Sequence, residues 1–204
     1  MFTGIIQTVG RVRSVEQKAG DVELSIEAAQ LGLENVSIGD SICVSGCCLT
    51  VTQKSESTFC ADVSRETLAV TTIGAWQACQ RVNLEKALLA GQPLGGHYVT
   101  GHIDAVGKVV SIRSDARSHR IQFEVPAALS RYVARKGSIC IDGTSLTVNE
   151  VEGSRFDVNL IPHTLAATIS NDYRIGTLVN LEVDIIARYL ERLIHPEPAP
   201  GASV

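Results

Sequence analysis

No apolar run approaches the ~20 residues that a membrane-spanning helix requires. The opening Met1-Phe2-Thr3-Gly4-Ile5-Ile6-Gln7 turns polar without the basic region and apolar core of a secretory signal. A cytoplasmic location away from membranes is expected. Clustered Lys and Arg are also lacking, and the net charge is −4, which together exclude a nucleic-acid footprint. None of the six cysteines lies in a Cys-x-x-Cys pair, so structural zinc has no ligand pattern, and without a secretory signal they are expected to be free thiols. Gly95-Gly96 is not followed by Gly-Lys-Ser/Thr, so it is not a phosphate loop. What remains is ordinary for a packed soluble fold, with 45% apolar and 20% charged residues. The 204 residues suffice for one larger domain or for two of about 100 residues each.

A shift of 97 residues superposes two halves without a gap, and this resolves the choice between one domain and two. Thr3-Gly4-Ile5-Ile6 falls on Thr100-Gly101-His102-Ile103, and Val9-Gly10-Arg11-Val12 on Val106-Gly107-Lys108-Val109. Ser41-Ile42-Cys43 falls on Ser138-Ile139-Cys140, and Gly46-Cys47-Cys48-Leu49-Thr50-Val51 on Gly143-Thr144-Ser145-Leu146-Thr147-Val148. Thr67-Leu68-Ala69 then matches Thr164-Leu165-Ala166, and Val82-Asn83-Leu84-Glu85 matches Val179-Asn180-Leu181-Glu182. Such agreement marks a tandem duplication. The expected domains are 1–90 and 98–184, joined by a Gly- and Pro-containing linker at 91–97.

Each half reads as all-β. Val/Ile/Thr-rich runs such as Val22 to Ala28, Asp40 to Thr52 and Phe156 to Ile161 are separated by Gly, Ser and Asn turn signals, as in a small barrel, with a short helix expected over Ala127 to Ala134. From Ile185 to Ile194 the spacing of Ile186, Tyr189, Leu190, Leu193 and Ile194 predicts an amphipathic helix without a full counterpart in the first half. Its apolar face packs on its own chain or on other copies, and the sequence leaves both open. The Pro- and Ala-rich tail at 195–204 is expected to be disordered.

Side chains two apart in a strand share a face, so Cys48 and Thr50 oppose Leu49 and Val51, and Ser145 and Thr147 oppose Leu146 and Val148. The same small polar pair thus recurs in both halves. Such pairs can hydrogen-bond a flat heterocycle without filling its space, or can simply be wetted by solvent. His97 and His102 are five apart, which on an extended segment places them on opposite faces and argues against joint metal coordination. A hydrolase triad of Ser145, His102 and Asp184 can be assembled on paper, but Gly143-Thr144-Ser145-Leu146-Thr147 lacks the closing glycine of a nucleophile elbow. His102 replaces Ile5 of the first half, a divergence that is either neutral or the gain of a proton-transfer group.

The chain closely resembles the riboflavin synthases of the duplicated α-chain type. The resemblance rests on Met1-Phe2-Thr3-Gly4-Ile5, the Gly46–Val51 run, Gly95-Gly96-His97 with Gly101-His102-Ile103-Asp104, and Asp142-Gly143-Thr144-Ser145-Leu146-Thr147-Val148, and it extends to about Ile194. Ser45 departs from it, since many members carry Asn there. The resemblance implies two tandem six-stranded Greek-key barrels and a homotrimer built through the C-terminal helices. It also implies sites where the first barrel of one subunit faces the second barrel of a neighbour, each holding two lumazines. The implied reaction is a cofactor-free dismutation of 6,7-dimethyl-8-ribityllumazine: one molecule gives four carbons to another, yielding riboflavin and 5-amino-6-ribitylaminouracil. No metal is implied.

Carried over by motif, the first-barrel ligand residues are Gly4, Ile5, Ile6, Cys48, Leu49, Thr50, Asp62, Val63, Ser64, Arg65, Glu66 and Thr67. The second-barrel residues are Gly101, His102, Ile103, Lys136, Ser145, Leu146, Thr147, Ile161, Pro162, His163, Thr164, Leu165 and Ala166. His102, Cys48, Ser145 and Thr147 are the candidates to assist proton loss and attack at a ring carbon, and Asp184 to tune that site. Two other readings stand beside the enzyme: a non-catalytic lumazine- or flavin-binding protein on the same fold, and a purely structural oligomerisation module.

Overall fold

The computed structural model describes residues 1–194; the tail expected to be disordered lies outside the described residues. The first half closes a barrel from β1 (Thr8–Lys18), β2 (Asp21–Glu27), β3 (Ser41–Val44), β4 (Cys47–Lys54), β5 (Thr58–Val63) and β6 (Arg81–Lys86), in the order β1-β2-β5-β4-β3-β6. The second repeats it with β7 (Ala105–Asp115), β8 (Ser118–Glu124), β9 (Ser138–Ile141), β10 (Thr144–Glu152), β11 (Arg155–Leu160) and β12 (Leu178–Val183), in the order β7-β8-β11-β10-β9-β12. All pairings are antiparallel, and β2 lies beside β5 at the end of the β3-β4-β5 meander, which is the Greek-key arrangement. Strand alternation fills each interior. Leu24, Ile26, Ile42, Phe59 and Leu84 are fully buried in the first barrel, as are Ile121, Phe123, Ile139, Phe156 and Leu181 in the second. Each such side chain contributes about 1.5–3 kcal/mol of burial.

The run from Asp40 to Thr52 is two strands rather than one, because Ser45 and Gly46 take φ of 43° and 89° and turn β3 into β4. Asp142 and Gly143, at 45° and 82°, make the same two-residue turn between β9 and β10. Left-handed backbone at both central positions suits the twist of a tight hairpin. Helices α1 (Arg65–Val70) and α2 (Pro162–Ala167) follow β5 and β11. The helix expected at 127–134 is a 3-10 turn over Ala127–Tyr132, closed when the Val133 N–H bonds the Ser130 carbonyl and Val133 sinks into the core. Helix α3 (Ile185–Ile194) forms as its periodicity predicts. No helix among the described residues is long and apolar enough to cross a membrane. All six cysteines are free thiols.

The barrels dock about a pseudo-two-fold axis, and the repeat-equivalent residues Asn83 and Asn180 hold the seam. Asn83 Nδ2 donates to the Asp142 carbonyl at 2.8 Å, and its Oδ1 accepts the Ile169 N–H at 2.8 Å. In return, Asn180 Nδ2 donates to the Ser45 carbonyl at 2.8 Å, and its Oδ1 accepts the Thr72 N–H at 2.7 Å. Both amides are fully buried.

Candidate active site

The polar pairs read from the sequence face outward on β4 and β10. Leu49 and Val51 enter the first barrel while Cys48 is half-buried and Thr50 exposed; Ser145 is half-buried and Thr147 exposed opposite the buried Val148. Pairing of Val51 with Ala61 lays Asp62 and Val63 alongside Leu49 and Thr50. The chain then enters α1 through Ser64, whose hydroxyl caps the helix by accepting the Thr67 N–H. Pairing of Val148 with Val158 likewise brings Ile161 to Ala166 beside Ser145 and Thr147. There the cap differs, since Ile161 has no capping side chain and Pro162 opens the helix. The first face is therefore edged by exposed Asp62, Arg65 and Glu66, and the second by exposed Ile161, Pro162 and His163. Leu49, Val63 and Leu165 point into the cores, so only their backbone is available to a ligand.

The two short straps that precede the barrels exchange partners, which corrects the grouping by repeat. Residues 1–6 and 98–103 meet in an antiparallel bridge, Phe2 N–H to the Val99 carbonyl at 2.7 Å and Val99 N–H to the Phe2 carbonyl at 3.2 Å. Each strap then crosses to the opposite barrel. The Ser145 N–H bonds the Gly4 carbonyl at 2.8 Å, and the Cys48 N–H bonds the Gly101 carbonyl at 2.9 Å. Gly4, Ile5 and Ile6 thus belong with Ser145, and Gly101, His102 and Ile103 with Cys48. Both glycines are left-handed, at φ of 76° and 82°, and a Cβ on either would fall 2.5 Å from the Cβ of Ser145 or Cys48. No larger residue fits at either position.

Buried glutamates clasp the straps. The Glu85 carboxylate accepts the Thr3 N–H and hydroxyl, both at 2.7 Å, and the Gly4 N–H at 3.0 Å. Glu182 does the same for Thr100 and Gly101 at 2.7, 2.7 and 2.9 Å. Burial pushes both carboxyls up from their ordinary range, and the donors pull in the opposite direction.

Among the proton-transfer candidates, Cys48 lies against the exchanged strap one residue from exposed His102. Ser145 does not pair with His102. Its hydroxyl lies 2.7 Å from Nδ1 of His97, a buried residue of the linker that sequence reasoning weighed only as a metal ligand. Asp184 caps α3 by accepting the Ile186 N–H at 3.0 Å, and its charge also falls on His97. The triad sketched from Ser145, His102 and Asp184 is therefore not assembled. Lys136 holds φ of 64° where the equivalent Gly39 has 95°, and its N–H bonds the Val148 carbonyl beside Thr147. Among the described residues no group of three or more His, Cys, Asp or Glu gathers to hold a metal. A cleft of about 620 Å³ lies in the seam between Trp76, Arg81, Asp142 and Tyr173 and contains none of the site residues. The site faces themselves are open half-sites on the barrel exteriors.

Both halves of the chain match the lumazine binding domain family, over residues 3–87 and 100–184. A riboflavin synthase from Photobacterium phosphoreum is 44% identical over 194 residues, covering 95% of this chain and 89% of the relative. Those from Actinobacillus pleuropneumoniae and Bacillus subtilis (strain 168) are 41% and 36% identical, covering 98% and 96% of this chain and 92% and 90% of theirs. Among solved structures, LumP complexed with riboflavin superposes with a TM-score of 0.83 at 26% identity, over 90% of this chain and 99% of LumP.

Proposed function

The chain belongs to the riboflavin synthase family, and on that premise we propose how its two strapped faces turn lumazine into riboflavin. The overall reaction is the dismutation of two 6,7-dimethyl-8-ribityllumazine molecules by transfer of four carbons. The observation that carries the reading is the repetition of one outward polar face, Cys48/Thr50 on β4 and Ser145/Thr147 on β10, each completed by the strap of the other half. A reaction between two copies of one substrate needs two similar berths. Holding both molecules in register supplies about 7–11 kcal/mol of barrier reduction through proximity alone.

In this reading the first berth is formed by Cys48, Thr50, the Asp62–Thr67 run and the Gly101–Ile103 strap. The second is formed by Ser145, Thr147, the Ile161–Ala166 run and the Gly4–Ile6 strap. His102 and Cys48 serve proton transfer at one berth, Ser145 and Thr147 bind polar ring atoms at the other, and Asp184 tunes the second from the base of α3. Because both berths open outward, a second subunit is needed to bring two lumazines face to face, and the exposed apolar side of α3 would hold a cytoplasmic homotrimer together. The likeness to LumP supports a second reading, a carrier that only binds the chromophore. The 36–44% identity to synthases, against 26% to LumP, favours the enzyme.

The test is to incubate the purified protein with 6,7-dimethyl-8-ribityllumazine alone and follow flavin absorbance. Repeated turnover, with one riboflavin per two lumazines consumed, is expected. Stoichiometric binding without flavin would leave a carrier, and no binding a structural module.

A further inference from the structure

We infer that His97 is a positioning residue that fixes the Ser145 hydroxyl as a hydrogen-bond donor directed into the second-barrel site. The inference rests on reading β10 as a ligand-facing strand. The backbone sets the geometry. Gly96 passes so close to the strap and strand that a Cβ there would fall 2.1 Å from the Thr3 carbonyl and 2.9 Å from the Ser145 Cβ. The next residue, His97, donates its own N–H to that same Thr3 carbonyl at 3.2 Å. The imidazole is thereby delivered to Ser145, with Nδ1 2.7 Å from the hydroxyl oxygen, and is only 8% exposed.

The other ring nitrogen decides the direction of this bond. Nε2 is buried, and among the described residues nothing reaches it as donor or acceptor. Burial lowers the proton affinity of His97, and the Asp184 charge opposes this only in part, so the ring is neutral at pH 7 and carries one N–H. With the proton on Nε2, an N–H would be stranded in the interior, an arrangement that folded proteins rarely tolerate. With the proton on Nδ1, the unpaired group is a ring lone pair, and buried acceptors without a partner are tolerated more often than buried N–H groups. The Nδ1–H tautomer is therefore the stable one, and it donates to the Ser145 oxygen. That leaves the hydroxyl proton of Ser145 free to point outward, away from His97, toward an acceptor on the bound heterocycle such as a carbonyl oxygen or a ring nitrogen. The equivalent Cys48 has no such partner among the described residues, and a thiol is a weak donor. His97 thus makes the two berths chemically unequal: only the second presents an oriented hydroxyl donor.

Nitrogen-15 NMR of the full-length, ligand-free protein labelled at histidine tests the tautomer without any turnover. His97 protonated on Nδ1 is expected, and protonation on Nε2 overturns the inference. Kinetics then test its use. His97→Leu, which keeps bulk and removes the donor, should lower kcat/KM about tenfold, as expected for one oriented hydrogen bond to the bound heterocycle. His97→Asn, whose amide N–H can take the place of Nδ1–H, should recover activity to within about threefold of the native rate. Adding His97→Leu to Ser145→Ala should cost nothing further; multiplied losses, or a His97→Leu variant at the native rate, overturn the positioning role. If the native protein makes no flavin, the functional reading fails while the NMR result still judges the tautomer.

Discussion

At the Asp142-Gly143 turn a carboxyl group is folded into the seam between the barrels. The equivalent Ser45 turn holds only a hydroxyl, yet both side chains brace the strand that faces them, since Ser45 accepts the Asn83 N–H at 3.1 Å and Asp142 the Asn180 N–H at 2.8 Å. Asp142 also accepts the Tyr173 hydroxyl at 2.6 Å. Burial outweighs these two donors and raises its carboxyl from 3.8 to about 7. The folded state therefore binds this proton more tightly than the unfolded chain does. Its contribution to stability is complete below about pH 4 and is lost as pH rises through about 7. Asp142→Asn keeps the turn and the amide bond and abolishes this titration. Denaturant unfolding should show the native protein losing roughly 2 kcal/mol between pH 5 and pH 8 relative to the variant. Parallel pH profiles would show that Asp142 is ionised throughout. The protonation state is not legible in the sequence, because it depends on Tyr173 and on a seam that only docking creates. His97 eluded sequence reasoning for the same reason: its partner Ser145 lies 48 residues away.

Helix α3 shows what periodicity can and cannot say about an element. Its span and apolar stripe follow from spacing alone, but the surface that stripe meets does not. In the fold the helix touches its own barrel through its polar side. Arg188 lies 4.7 Å over the Tyr132 ring and pairs with Asp104, while Glu191 bonds the Tyr132 hydroxyl and pairs with Arg131 at 3.1 Å. Ile186, Tyr189, Leu190, Leu193 and Ile194 remain 51% to 77% exposed. Such a stripe, worth about 1.5–3 kcal/mol per side chain when covered, is better suited to self-association than to water. Replacing Leu190 and Leu193 together by Glu should shift sedimentation to smaller species and leave the melting of the barrels largely unchanged. An oligomer of unaltered size would refute that role for the helix. The straps carry the complementary lesson: Gly4 and Gly101 are legible as repeat partners, yet the repeat assigns each to its own barrel and the fold sends each to the other.

Across the whole molecule, the duplication yields one body because each barrel supplies what the other lacks at the seam. Asn83 and Asn180 each satisfy a carbonyl and an N–H of the opposite half, groups with no water to turn to. Asn83→Ala should strand the Asp142 carbonyl and the Ile169 N–H, at about 1–3 kcal/mol for each buried orphan. A calorimetric scan should therefore show a large loss of stability, with the barrels melting less cooperatively; a native-like scan would mean that the seam contributes little. The sequence by itself determined the two-fold repetition, the strand alternation that sets Cys48 and Thr50 against Leu49 and Val51, and the amphipathic end helix. All of these depend on periods of two to four residues or on a fixed shift of the whole repeat. Only the tertiary structure decided that the straps are exchanged, that His97 rather than His102 holds Ser145, and that each polar face joins residues of both halves. Those contacts bridge positions 48 to 141 residues apart, set by how two closed barrels fit together, and no local pattern of side chains encodes that fit.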